Sequence, residues 1–352
     1  MGSPRAIAGA REVLTLGFDG SALELLTGSS PSGLDCCSAT QAVRITAGGV
    51  VARPQPLVGG LAGATLGQLV TLADGRMVAS VATERGVWAL QSLSGGRFAA
   101  QRRLTSAGQT PTSLTATWLG GESSVLAWTA ASGPAGYADP RAIFYSLGSK
   151  QGGPRRAHTL LRVPAGHRID ELAVVRRGSG ATATWVEGSY DGRGSYHSLV
   201  RAADFGPRPG VRALSTGGLA DGLSSAADAA GAQAVAFKTC NGEGACTVQV
   251  ATRGPSSRFG AAASLGRIDA SQSPAVTVGR RGQVLVGWVR SGQPVAVVGT
   301  AGSGHFGSVR VLSPSVYALD MTVAFGPGRQ ALAAWTQGTL NPSVVGASYS
   351  GP

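Results

Sequence analysis

The chain has 352 residues, 43% of them hydrophobic and only 14% charged, which is enough apolar material for a large core and excludes a disordered polyelectrolyte. Its 30 Lys and Arg against 18 Asp and Glu leave a net charge of +12, and no run of 18 or more apolar residues occurs, so no helical membrane span is expected. The 54 glycines exceed the usual share of about 7% and fall singly or in pairs between apolar runs, so they read as turns.

In chain order, Arg5 to Ala8 is a short extended segment and Val13 to Phe18, before Asp19-Gly20, is the first candidate strand. Ser29 to Ala64 fits no repeat; with Cys36, Cys37, Pro54 and Pro56 it reads as an irregular insertion or an elaborated connection. Met77 to Val81 follows an Asp74-Gly75 turn. Beyond it an apolar run ending in an aromatic returns five times: Val125-Leu126-Ala127-Trp128, Thr182-Ala183-Thr184-Trp185, Ala234-Val235-Ala236-Phe237, Leu285-Val286-Gly287-Trp288 and Leu332-Ala333-Ala334-Trp335. These anchors lie 57, 52, 51 and 47 residues apart, a period that signals stacked or radial repeats.

The clearest unit predicts strands at Ser273 to Val278, Gln283 to Val289, Pro294 to Thr300 and Phe306 to Leu312, each bounded by Gly, Ser or Pro. Fourth strands share an aromatic-to-leucine spacing: Phe98 to Leu104, Phe259 to Leu265, Phe306 to Leu312 and, longer, Phe205 to Leu214. A Ser, Thr or Gly follows each leucine, and no segment shows helical periodicity with caps.

Four antiparallel strands repeated seven times, or six if the first unit is degenerate, predict an all-β fold, a β-propeller occupying 1–352 as a single domain, with 29–64 as the irregular part. The anchor aromatics then fill the wedge between blades. The last unit lacks a fourth strand, which Arg5 to Ala8 is placed to supply. The repeat resembles the sialidase-like and related propellers of exported bacterial proteins, from about Gly67 onward. That resemblance implies the fold. Sialidases add an arginine cluster, a tyrosine nucleophile with a glutamate partner, an aspartate acid/base and repeated Asp-boxes. The nearest match to an Asp-box, Ser189 to Tyr196, has its glycine one place late and follows the second strand, so no catalytic residue is carried over.

Cys240 and Cys246 flank a turn-rich loop and are candidates for a disulfide across a hairpin, with free thiols as the alternative. Cys36 and Cys37 are adjacent, and either bridge or stay reduced. An even cysteine count favours an oxidising, extracellular or cell-surface location. Met1 to Ala10 is too short and polar for a signal peptide, which makes the chain a mature form or a fragment.

Function is less legible. In propellers the connections between blades and the loops from second to third strand share the face around the channel, where ligands bind. That places Arg168, Asp170, Asp221, Asp269, Tyr317 and Asp320 in the connections, and Glu187 and Asp191 in the loops. The acids precede their anchors by 15, 16, 19 and 15 residues. Such carboxylates suit calcium, paired acid/base hydrolysis of a glycoside, or plain turn capping. No histidines pair at metal-ligand spacing, so no metal site or cofactor is expected, calcium being the one candidate.

The expectation is a non-catalytic extracellular binding or scaffold module, monomeric, recognising carbohydrate or protein at the cell surface. The alternatives are a glycan-active hydrolase of sialidase-like architecture and a polyanion binder using its arginines. Those arginines are spread over all repeats without interleaved aromatics, which argues against nucleic acid.

Overall fold

A computed structural model of the chain describes residues 10–18, 22–29, 39–46, 55–56 and, short stretches apart, 64–350, with side chains between Leu66 and Thr336. Arg5 to Ala8, Cys36 and Cys37 lie outside the described residues. Among those described, 27 strands form seven antiparallel sheets, six of four strands and one of three, and the only helical element is a single turn at Arg280–Gly282. Every sheet is a meander in which each strand pairs with its neighbour in sequence.

The chain divides into two compact units, residues 1–164 and 165–352. The first holds three sheets. The opening one takes Ala10–Phe18, Ala22–Ser29, Ala39–Thr46 and Gln55–Pro56, so the stretch expected as an irregular insertion supplies two strands of a regular sheet. Its prolines and glycines obscure them, because the fourth strand is only two residues long. The second sheet runs Ala64–Thr71, Met77–Thr83, Gly86–Gln91, Arg102–Arg103, and the third Gln109–Gly120, Ser123–Ser132, Ala142–Gly148, His158–Arg162.

The second unit holds four sheets. The fourth runs His167–Arg177, Gly180–Tyr190, Tyr196–Asp204, Arg212–Ala213, and the fifth Leu219–Ala227, Gln233–Cys240, Cys246–Arg253, Ala263–Ile268. The sixth runs Ala275–Val278, Gln283–Arg290, Gln293–Thr300, Arg310–Val311, and the seventh Ala318–Phe325, Gln330–Gln337, Ser343–Ser350. The seventh sheet has three strands, as the sequence indicates.

The anchor aromatics lie within these cores. Trp128, Trp185, Phe237 and Trp288 are completely buried and Trp335 nearly so. Phe237 packs with Val186, Val200 and Leu214 of the sheet before it, and Trp288 with Val248, Val250 and Ile268 of the sheet before its own. In the first unit Trp128 meets Ala82, Val87 and Leu104 in the same way. Trp335 packs likewise with Val289 and Leu312, so the second strands of the third, fifth, sixth and seventh sheets each drive one large side chain into the preceding sheet. The Trp288 indole also donates to the Arg267 carbonyl at 2.8 Å, so its one polar group is satisfied. Before their anchors the third, fifth and seventh sheets carry Ala and the fourth carries Thr184, whereas the sixth carries Gly287; a Cβ there would stand 2.6 Å from Met321 Cε and 2.7 Å from Val323 Cγ1 of the next sheet, side chains that a larger residue would have to displace.

Fourth strands are shorter than expected. Phe306 makes an isolated bridge to Gly299, and only Arg310–Val311 of its run forms a strand. The aromatic-to-leucine spacing still has a structural meaning. Leu104 and Leu214 donate backbone N–H to Val87 and Val200 carbonyls at 2.9 and 2.8 Å. The hydroxyl that follows each leucine, Thr105 or Ser215, accepts the N–H of that same valine at 3.1 or 2.9 Å. The Ser/Thr after the leucine therefore closes the sheet edge. Cys240 and Cys246 are disulfide-bonded across the hairpin between the second and third strands of the fifth sheet.

Trp288→Ala removes a fully buried anchor. It is expected to lower unfolding free energy by about 3–5 kcal/mol, measured by chemical denaturation with matched slopes.

Candidate functional site

The first strand of each sheet begins where the second ends: His167 lies opposite Ser189, Leu219 opposite Cys240, and Ala318 opposite Gln337. This entry end carries the predicted site residues. Near it the first strand is bulged in six of the seven sheets, the register slipping between Ala10 and Glu12, Ala64 and Leu66, Pro111 and Ser113, Ile169 and Glu171, Asp221 and Ser224, and Ala318 and Asp320. A bulge leaves one residue outside the ladder and re-aims its side chain. Asp170 is such a residue. It lies, with Asp221 and Asp320, inside a first strand rather than in a connection; Asp269 does lie in the connection between the fifth and sixth sheets.

Around Asp170 a compact polar cluster forms. Arg168 forms an ion pair with Asp170, its Nε 2.8 Å from Oδ1, and the Tyr196 hydroxyl donates to Oδ2. The Arg168 guanidinium lies 4.9 Å from the Tyr196 ring centroid, a cation–π contact. Burial pushes the Tyr196 hydroxyl up to about 12, helped by its hydrogen bond to the Asp170 carboxylate, so the phenol stays protonated at neutral pH. Gly188 makes the room: a Cβ there would stand 2.6 Å from Tyr196 Cζ and 2.7 Å from Asp170 Oδ2. Tyr190 leans on Tyr196 with centroids 5.1 Å apart and is 60% exposed.

The other carboxylates are engaged locally. Glu171 reaches into the fifth sheet and accepts the N–H groups of Gly222 and Leu223 at 2.8 and 2.6 Å, the two residues of that sheet's bulge. Glu187 was expected in a loop; the second strand continues to Tyr190, and Glu187 is buried within it. There it meets His167 Nδ1 at 2.8 Å, Arg201 Nε at 2.9 Å and the Trp185 indole N–H at 3.3 Å. Asp221 pairs with Lys238 Nζ at 3.1 Å, while that ammonium also donates to the Ala270 and Gln272 carbonyls. Asp269 accepts the N–H groups of Ser291 and Gly292 at 2.7 and 2.8 Å, closing the turn between second and third strands of the sixth sheet.

Asp191 organises the equivalent turn of the fourth sheet. Its Oδ1 accepts Ser195 N–H at 2.9 Å and Arg193 N–H at 2.8 Å, and His197 Nε2 lies 3.2 Å from Oδ2. Ser195 N–H, then His197 and Arg193 N–H, hold its carboxyl below the ordinary aspartate range. Tyr317 is 61% exposed beside Gly292, and Asp320 is exposed in the seventh sheet. The predicted residues therefore share the entry end of their sheets, but each serves its own sheet or the next. Among the described residues no three His, Cys, Asp or Glu cluster as a metal site. The tyrosines at positions 190 and 196 were not singled out from sequence; their flanking of a five-residue Asp191 turn was the available signal.

No protein-family model matches this chain, and no curated protein sequence matches it. Solved structures do. A polysaccharide lyase, Uly1, superposes with a TM-score of 0.56 at 9% identity, covering 98% of this chain and 91% of that one. The β-propeller domain of the Trilobed protease from Pyrococcus furiosus gives 0.50 at 8% identity, with 97% of each chain covered. The fold is a β-propeller. A Hadza microbial sialidase, Hz136, gives 0.45 at 11% identity over 84% of this chain and 70% of that one. Resemblance at these identities is one of fold alone, and the seven sheets are the blades of the propeller.

Two outcomes follow from the latches. Glu171→Ala leaves two backbone N–H groups of the next blade without their acceptor, and is expected to cost about 2 kcal/mol in a denaturation curve. Asp191 should titrate below an ordinary aspartate by carbon-detected NMR. Because its folded value lies under its unfolded one, the stabilisation is complete above the unfolded value of about 3.9 and is lost as pH falls through the lowered value. Asp191→Asn removes that dependence.

Proposed function

We propose that this propeller is a non-catalytic binding module of the extracellular space, recognising carbohydrate through the entry end of its fourth blade. The observation that carries this reading is Tyr190, an exposed aromatic face propped on Tyr196 and bordered by the Arg168–Asp170 pair. An aromatic ring beside oriented polar groups suits a sugar, which offers an apolar face and a ring of hydroxyls. Against hydrolysis stands the engagement of Asp170, Glu171, Glu187, Asp191, Asp221 and Asp269 with neighbouring donors. A general acid and base need carboxylates directed at a shared substrate. Export is supported by the Cys240–Cys246 disulfide, and no helix among the described residues is long and apolar enough to cross a membrane.

A glycan array followed by calorimetry tests the reading. Binding of a retained glycan is expected to weaken about tenfold in Tyr190→Ala, and comparably in Gly188→Ala, which displaces the Tyr196–Asp170 pair without removing either group. Turnover of any arrayed glycan that Asp170→Asn abolishes would replace binding with catalysis, and retention unchanged by both variants would move the site elsewhere.

A further inference from the structure

The opposite end of the fourth and fifth blades holds a cavity of about 640 Å³, within the range of about 300–1,000 Å³ usual for small-ligand sites. Its wall includes Arg177, Arg208, Arg212, Arg253 and Arg258 and a single acid, Asp204.

The floor is built. Arg253 ends the third strand of the fifth blade with its side chain only 4% exposed. Its Nε donates to Gln233 Oε1 at 2.8 Å, and its Nη2 donates to Asp204 Oδ1 at 2.7 Å and to the Thr182 hydroxyl. Gln233, itself fully buried, is oriented by donating to the Arg176 carbonyl at 2.9 Å. The guanidinium carbon lies over Phe259, 4.5 Å from the ring centroid. Burial pushes Arg253 down to about 10, which leaves it charged at neutral pH. Arg177 pairs with the same Asp204, so one carboxylate faces two guanidinium groups.

The rim adds more positive charge. Arg208 projects from the connection between third and fourth strands of the fourth blade, Arg212 opens the short fourth strand that follows it, and Arg258 projects from the same connection in the fifth. All three are exposed and make no ion pair among the described residues. A partly buried excess of cations is unfavourable until an anion completes it. Guanidinium forks match the paired oxygens of sulfate and carboxylate.

We infer that this cavity binds an acidic oligosaccharide carrying at least two sulfate or carboxylate groups, seated between the Arg253 floor and the Arg208, Arg212 and Arg258 rim. Arginines from four separate chain segments demand more than one oxyanion, which a single inorganic ion lacks. Phe259 is buried beneath Arg253 and offers no open face for stacking a base, so single-stranded DNA enters the test below as a competitor. This site lies at the other end of the blade from Tyr190 and does not rest on the carbohydrate reading given for that end.

Calorimetry on the full chain at 0.15 M salt tests it with a heparin-derived tetrasaccharide, a tetragalacturonate and inorganic pyrophosphate. One or both saccharides should bind with Kd below about 1 mM, and Arg208→Ala/Arg212→Ala should weaken that binding at least tenfold with Tm unchanged. Which saccharide binds tells sulfate from carboxylate. Arg280→Ala removes the same charge from an exposed site outside the cavity and should leave affinity within twofold. Binding of neither saccharide, equal losses in the Arg280 and rim variants, pyrophosphate binding at least as tightly as the saccharides, or displacement by equimolar single-stranded DNA would each overturn the assignment.

Discussion

The architecture depends on one repeated contact, a large aromatic from the second strand of a sheet buried against the sheet before it. A four-stranded meander has two apolar faces and cannot bury both alone, so its stability comes from its neighbours. Trp288 shows how the contact works: its ring sits among valines of the fifth blade while its indole N–H reaches the Arg267 carbonyl. Because the large residue comes from one side of each junction, the facing positions are small or branched, and the neighbouring backbones approach closely. At Gly287 the side chains of Met321 and Val323 occupy the space that a methyl group would take.

A second constraint follows from the first. Blades pressed together at their first strands must satisfy the polar backbone that their bulges release. In the second unit Glu171 does this by crossing from the fourth blade to the two bulge residues of the fifth. Asp269 does it for the turn that follows the sixth blade's anchor, and Lys238 ties Asp221 to the connection at Ala270 and Gln272. Charged groups hold backbone donors and acceptors more strongly than neutral ones do. Of the recurrent acids, Asp269 closes a turn from the connection that precedes its blade, while Asp170 and Asp221 pair within their own blades; the carboxylate that bridges two blades is Glu171.

What the sequence could reveal follows from this division. The Trp and Phe anchors were legible because packing repeats with the chain: the same wedge demands the same residue about every fifty positions. The leucine and its following hydroxyl were legible as a spacing, though not as the hydrogen bond Ser215 makes to Val200. Strands of two residues, such as Gln55–Pro56, carry too little pattern to be seen, and this hid the first blade's completion. Asp170 and Glu187 have similar surroundings in sequence, yet a bulge turns one to the surface cluster with Tyr196 while strand continuation buries the other against Trp185. Register of that kind is decided by pairing, not by composition.

The arginines make the same point from the other direction. Spread over all the repeats, they form no basic block in the sequence. Arg177, Arg208 and Arg253 are far apart in sequence, yet the meander returns all three to one end of adjacent blades. Neither a charge run nor a motif records that convergence, because it depends on strand lengths that bring the ends of first and third strands to the same level. The Tyr190 cluster and the arginine cavity then sit at opposite ends of one blade, built from the two sets of loops that a meander must produce. The blades are held by aromatics and carboxylate latches near their middles and entry ends. The connection carrying Arg208, with Arg212 at the head of the short strand that follows, lies away from the wedge, and recognition is most readily built on such loops.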